Sequence, residues 1–155
     1  MSSETVVFPY LRLGSASFRR PLLWLLVENP HNPAINGIRC PALIDTGADR
    51  SLIPYTFCRQ LGHVFENGVA SKNASGIGQG SCRTFAHQVK ITVLSTPANH
   101  KAADASNAVF PPLEMQIDFI EQKLPFLLLG QSNFQHLFHY RQTRANWTFS
   151  LRYLS

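Results

Sequence analysis

The stretch Pro41-Ala-Leu-Ile-Asp45-Thr-Gly-Ala-Asp49-Arg-Ser-Leu-Ile-Pro54 runs apolar, stops on a carboxylate, turns through Thr46, Gly47 and Ala48, then becomes apolar again. Burying an ionised carboxylate is costly, so Asp is ordinarily left in water. A strand through Ala42, Leu43 and Ile44 nonetheless delivers Asp45 into the middle of a fold. Asp-x-Gly is also common turn chemistry, and an isolated stretch of this kind fits an ordinary surface turn. The surrounding chain has to separate the two readings.

Strand patterns dominate that surrounding chain. Leu22 to Glu28 (LLWLLVE) and Ile38 to Asp45 (IRCPALID) flank a segment rich in Asn and Pro. It ends in Ile35-Asn36-Gly37, and Asn-Gly is the strongest short hairpin signal. Phe85 to Leu94 alternates apolar and polar residues, and Leu113 to Glu121 and Leu124 to Gly130 read as two further strands. Trp147 to Leu154 places Trp147, Phe149, Leu151 and Tyr153 on one face, with Thr148, Ser150 and Arg152 on the other. One helix is expected, Ser132 to Arg141: Ser132 can cap it, and Phe134, Leu137 and Phe138 share one face. Ser95 to Pro112, small and polar with three prolines, reads as a mobile internal loop. The class is all-β, without internal repeats.

With 155 residues, 45% hydrophobic and 15% charged, the chain has the balance of one folded globular domain. The longest apolar run, Pro21 to Val27, is about a third of what a bilayer crossing needs. It follows Arg19-Arg20, yet no small-residue cleavage site follows it and it starts too far from Met1 for a signal peptide. A buried strand in a soluble chain is expected, with no membrane partner. Cys40, Cys58 and Cys82 are odd in number and lack CxxC spacing, which points to reduced thiols and a reducing, cytoplasmic compartment. The net charge of +5 is scattered, with Arg19-Arg20 the only adjacent basic pair, so no nucleic-acid partner is expected. His136 and His139 lie three apart without an evident third ligand and read as a solvated pair. Ser51 has no His placed by motif to activate it.

A strand ending in Asp45-Thr46-Gly47-Ala48-Asp49 resembles the active-site turn of the aspartic proteases, and in so short a chain the retropepsin branch. Two more pieces follow in the family's order: a glycine-rich stretch, Ser75 to Gly80 (SGIGQG), and an apolar strand ending in Gly ahead of a short helix, Phe126 to Phe134 (FLLLGQSNF). The resemblance spans roughly residues 20 to 155, with 1–20 as an N-terminal extension or strand. It implies a retropepsin-like barrel with a flap hairpin and one short C-terminal helix, forming a two-fold homodimer. It further implies catalytic Asp45, Thr46 and Gly47, with Ala48, Asp49 and the flap residues Gly76, Ile77, Gly78, Gln79 and Gly80 contacting an extended polypeptide substrate. In the family the Thr hydroxyl locks two such turns together. One departure is Gln131: many retropepsins carry Arg there, tied to the acidic residue that Asp49 matches. The own Met and about twenty residues before the first hairpin favour a stand-alone cellular enzyme over a polyprotein segment.

The chemistry accounts for the residue types. Hydrolysing a peptide bond without a metal, cofactor or covalent nucleophile needs one group to take a proton from water and another to protonate the carbonyl. Two carboxylates about 3 Å apart at an effective dielectric near 20 would repel by about 5 kcal/mol if both were charged. The pair therefore holds one proton, a general property of juxtaposed aspartates. The chain has four aspartates, Asp45, Asp49, Asp104 and Asp118, and only Asp45 opens a DTG turn. One chain supplies half a dyad, and a homodimer is the simplest completion. The expected activity is that of an aspartic endopeptidase with an acidic optimum. The alternative is a catalytically silent retropepsin-like dimer serving as a peptide-binding or regulatory module. A phosphate-binding strand-turn of the sugar-kinase type would need two lobes, for which the chain is too short.

Overall fold

Leu22 to Glu28 is buried along almost its entire length, because apolar side chains cover both of its faces. Leu23, Leu25 and Val27 enter the main core, while Leu22 and Trp24 join Leu11 and Leu94 in a second cluster on the opposite face. That is why the sequence there runs apolar without alternating. The computed structural model describes residues 4–15, 18–71, 74–76, 78–97 and 107–155, with backbone alone at 74–76 and 78–81.

Twelve strands are described: β1 Thr5–Pro9, β2 Leu22–Glu28, β3 Ile38–Ile44, β4 Leu52–Pro54, β5 Val69–Ala70, β6 Ala74–Gly76, β7 Gly78–Cys82, β8 Thr84–Leu94, β9 Leu113–Ile120, β10 Leu127–Leu129, β11 Phe138–Thr143 and β12 Thr148–Tyr153. A single α-helix turn, α1 Thr56–Gln60, follows β4. Strands β2, β3, β10, β4, β9 and β8 hydrogen-bond in that order, and the β2–β8 pairing closes them into a six-stranded barrel. The β3–β10 and β4–β9 pairings are parallel and the other four antiparallel. The eleven residues of β8 serve β5 with their N-terminal end and β2 with their C-terminal end.

A separate three-stranded sheet joins the two ends of the chain in the order β1-β12-β11. Phe8 of β1 stacks on Phe149 of β12 with ring centroids 5.3 Å apart. Phe8, Phe149, Leu151 and Phe138 then pack into the barrel's own core, so sheet and barrel share one apolar interior. The expected N-terminal extension thus contains a strand, and its partner is the C-terminal strand.

Three expectations need correction. The helix over Ser132–Arg141 is absent: a 3-10 turn, Gln135–Leu137, leads straight into β11. From Phe138 onward, pairing with β12 wins over a short helix that would have to stand without a mate. Trp147 does not share the buried face of Phe149 and Leu151. It sits at the tight turn before β12 with φ of 53° and is 41% exposed. The Asn36-Gly37 pair is not a two-residue hairpin turn, for residues 29–37 all lie between β2 and β3. Gly37 instead passes close to the neighbouring strand, where a Cβ would come within 2.7 Å of Glu28 and Leu26 side chains. The segment expected as a loop, 95–112, does lie between β8, which ends at Leu94, and β9, which begins at Leu113, and its described ends hydrogen-bond to each other and to β8. The Ser95 N–H donates to Asn107, the Val109 N–H donates to Val93, and Phe110 is buried against Phe138. Residues 98–106, Asp104 among them, lie outside the described residues.

Candidate active site

Strand β3 ends at Ile44, and Asp45 follows while still held by the barrel. Its N–H donates to the Leu129 carbonyl of β10 at 3.1 Å. The chain then turns back at once, for the Ala48 N–H donates to the Asp45 carbonyl at 3.1 Å. Inside that turn the Gly47 N–H donates to Asp45 Oδ1 at 3.0 Å, which fixes the carboxylate's orientation. Asp45 is half-buried, whereas Thr46 and Gly47 are exposed. The turn therefore presents one pinned carboxylate at an open face. A Cβ at Gly47 would meet only Asp45 Oδ1, at 3.4 Å, so no close approach within this chain demands glycine there.

The segment after β10 holds the turn from behind. Gln131 and Ser132 donate their N–H groups to the carbonyls of Ala48 and Asp49 at 2.9 and 2.8 Å. The Gln131 side-chain amide donates to the Thr46 carbonyl at 2.6 Å. At the position where many retropepsins carry Arg, a neutral amide ties down the turn's backbone. Gln135 adds a second clamp, its Nε2 donating to the carbonyls of Asp45 at 2.8 Å and Leu129 at 2.6 Å. Below the turn, the fully buried Ser51 accepts the Gly130 N–H on its Oγ and donates its own N–H to Asn133 Oδ1, both at 2.9 Å. Gly130 has no room for a side chain, since a Cβ would lie 2.3 Å from the Arg50 carbonyl carbon.

Ser51, Gln135 and Asn133 were not legible as site residues in the sequence. Each acts through a backbone group 79 to 90 positions away, and no local pattern announces such a partner.

The remaining expected residues are distributed as follows. Ala48 is half-buried within the turn, and Asp49 is exposed, without a cation in ion-pair reach among the described residues. Arg50 does turn away from Asp49, its Nε lying 3.1 Å from Asp118 Oδ2. Asp118 belongs to β9, and β10 and β4 stand between that strand and the one carrying Asp45. It is therefore no partner for Asp45 within the chain. Gly76 and Gly78 face each other in an antiparallel hairpin made of β6 and β7, and the backbones of Gln79 and Gly80 continue along β7. Ile77, expected at that hairpin's tip, lies outside the described residues. His136 sits in the 3-10 turn facing the Gln131 carbonyl, while His139 is exposed on β11 opposite Arg152.

No family model matches the chain, and no curated protein matches it. Among solved structures, the EIAV protease complexed with the inhibitor HBY-793 aligns with a TM-score of 0.46 and 19% identity, over 76% of this chain and 88% of that one. The retroviral protease-like domain of Ddi1 from Leishmania major gives 0.41 and 14%, over 71% and 72%. A retropepsin-like aspartic protease from Rickettsia conorii gives 0.56 and 14%, over 98% of this chain and 94% of that one. That match takes in nearly all of both chains, and with the closed six-stranded barrel it establishes a retropepsin-like fold.

Proposed function

We propose that the chain is an aspartic endopeptidase whose catalytic dyad forms when the Asp45 turns of two copies meet on a two-fold axis. The observation that carries this reading is the carboxylate of Asp45, oriented by the Gly47 N–H at the open end of a barrel strand. Two such carboxylates share one proton. The ionised one takes a proton from water as that water attacks the scissile carbonyl, while the protonated one donates to the carbonyl oxygen. The exposure of Thr46 and Gly47, where a Gly47 Cβ would meet nothing of this chain but Asp45 Oδ1 at 3.4 Å, leaves room for a partner turn to approach. In this reading Ala48, Asp49 and the glycine-rich hairpin at Gly76, Ile77, Gly78, Gln79 and Gly80 hold an extended peptide by strand-like hydrogen bonds, and the hairpin closes over it to exclude water.

A peptide-library digest with the wild type and Asp45→Asn tests the proposal. Cleavage that disappears in the variant, and under a statine-type inhibitor, supports it. Retention of extended peptides without any cleavage by the wild type would instead favour a silent peptide-binding dimer.

A further inference from the structure

Asp118 is a buried carboxylate that the proposed chemistry does not use. Its side chain is 4% exposed, Oδ2 pairs with Arg50, and Oδ1 is buried without a hydrogen-bond partner. Burial pushes its carboxyl above the ordinary range, against the pull of the Arg50 guanidinium. An arrangement with one orphaned oxygen is poor value for stability alone. Its place in the fold is more telling. Asp118 lies opposite Leu52 of β4 on one side and Ala86 of β8 on the other.

Arg50, five residues beyond Asp45, presses its backbone against Gly130 and reaches over to Asp118. On the other side, Thr84 opens β8 two residues after β7 of the glycine-rich hairpin ends, and Ser71 pairs with it. The Ser71 N–H donates to the Thr84 carbonyl at 3.1 Å, and their hydroxyls hydrogen-bond to each other. Asp118 thus stands on β9 between Leu52, two residues past Arg50, and Ala86, two residues past the start of β8, the strand that follows the glycine-rich hairpin.

We propose that Arg50 and Asp118 are positioning residues, whose ion pair locks the Asp45 turn to the foot of the hairpin so that catalytic carboxylate and hairpin keep a fixed spacing. The consequence for turnover rests on the protease reading; the mechanical coupling does not. Arg50 is half-exposed, so its variants can be made without opening the core. Arg50→Gln leaves a buried carboxylate without its cation and lets the turn drift. Misplacement of a catalytic group by about 1 Å costs up to about a hundredfold in rate, and part of that is expected here.

The test measures peptide turnover and amide hydrogen exchange for wild type, Arg50→Gln, Arg50→Lys, Asp118→Asn and the Arg50→Gln/Asp118→Asn double variant. We expect Arg50→Gln to lower kcat about tenfold with KM changed less than about twofold, and to speed exchange at the Gly47 and Ser71 amides together. Arg50→Lys, which keeps a point charge, should recover most of both effects. The double variant should lose no more than either single one, as residues acting through one link do. Additive losses, or Gly47 exchange unchanged in Arg50→Gln, would overturn the proposal. Should the wild type cleave no peptide, the protease reading fails by itself, and the exchange measurements still decide the coupling.

Discussion

At the scale of single residues, the Asp45 turn depends on hydrogen bonds from side chains that lie outside it. Ser51 is fully buried, and its hydroxyl is the acceptor for Gly130. Ser51→Ala leaves that N–H unpaired in the interior, an expected loss of about 1–3 kcal/mol, seen as a lower urea midpoint at unchanged m. Gly130→Ala pushes a methyl group into the Arg50 backbone. We expect a cost of about 3 kcal/mol or more, read as loss of soluble, cooperatively melting protein. A Gly130→Ala chain as stable as the wild type would contradict the packing described. Asp45, Thr46 and Gly47 were legible because strand, turn and carboxylate are adjacent in sequence. In the sequence Ser51 reads only as a nucleophile, set aside for want of a His, since its partner lies 79 positions away.

At the scale of elements, the instructive case is β11. The spacing of Phe134, Leu137 and Phe138 fits one face of a helix, but a 3-10 turn followed by a strand buries Phe134 and Phe138 equally well. Their rings pack 4.9 Å apart. Periodicity over so few residues cannot tell these apart, and the availability of β12 as a neighbour decides. Phe138→Ala should cost about 3–5 kcal/mol, because Phe138 joins terminal sheet to barrel. The connection between α1 and the hairpin carries a pH-dependent contact. His63 lies against His87 with ring centroids 4.7 Å apart, both on Phe119. Burial holds the His63 imidazole below its ordinary range, with His87 and His31 adding to the effect against a backbone hydrogen bond to Gln88. The unfolded chain therefore takes up this proton first. Stability is unaffected above about pH 6.5, and declines below it until the folded imidazole also protonates. The melting temperature of wild type should drop between pH 7.5 and pH 5.5 by more than that of His63→Leu. Equal drops would show that this contact does not contribute. The comparison cancels Asp118, whose raised carboxyl acts in the opposite sense in both proteins.

At the scale of the whole molecule, the barrel closes within one chain but the proposed dyad does not. Specific activity should fall on dilution through the dimer dissociation constant, in step with the loss of dimer in sedimentation velocity. Constant specific activity at concentrations where the mass is monomeric would exclude a shared site. The sequence by itself determined the β class, the strand that carries Asp45, and the order of turn, glycine-rich hairpin and Gly-ended strand. Those features are written in neighbouring residues, where alternation and turn chemistry act. Only the tertiary structure decided that β2 meets β8 to close the barrel, that β1 pairs with β12 from the far end of the chain, that Gln131 and Gln135 clamp the turn, and that Asp118 takes Arg50. Backbone partners and buried ion pairs are selected by what folding brings alongside, and many residues along the chain have the chemistry to serve until packing leaves room for one.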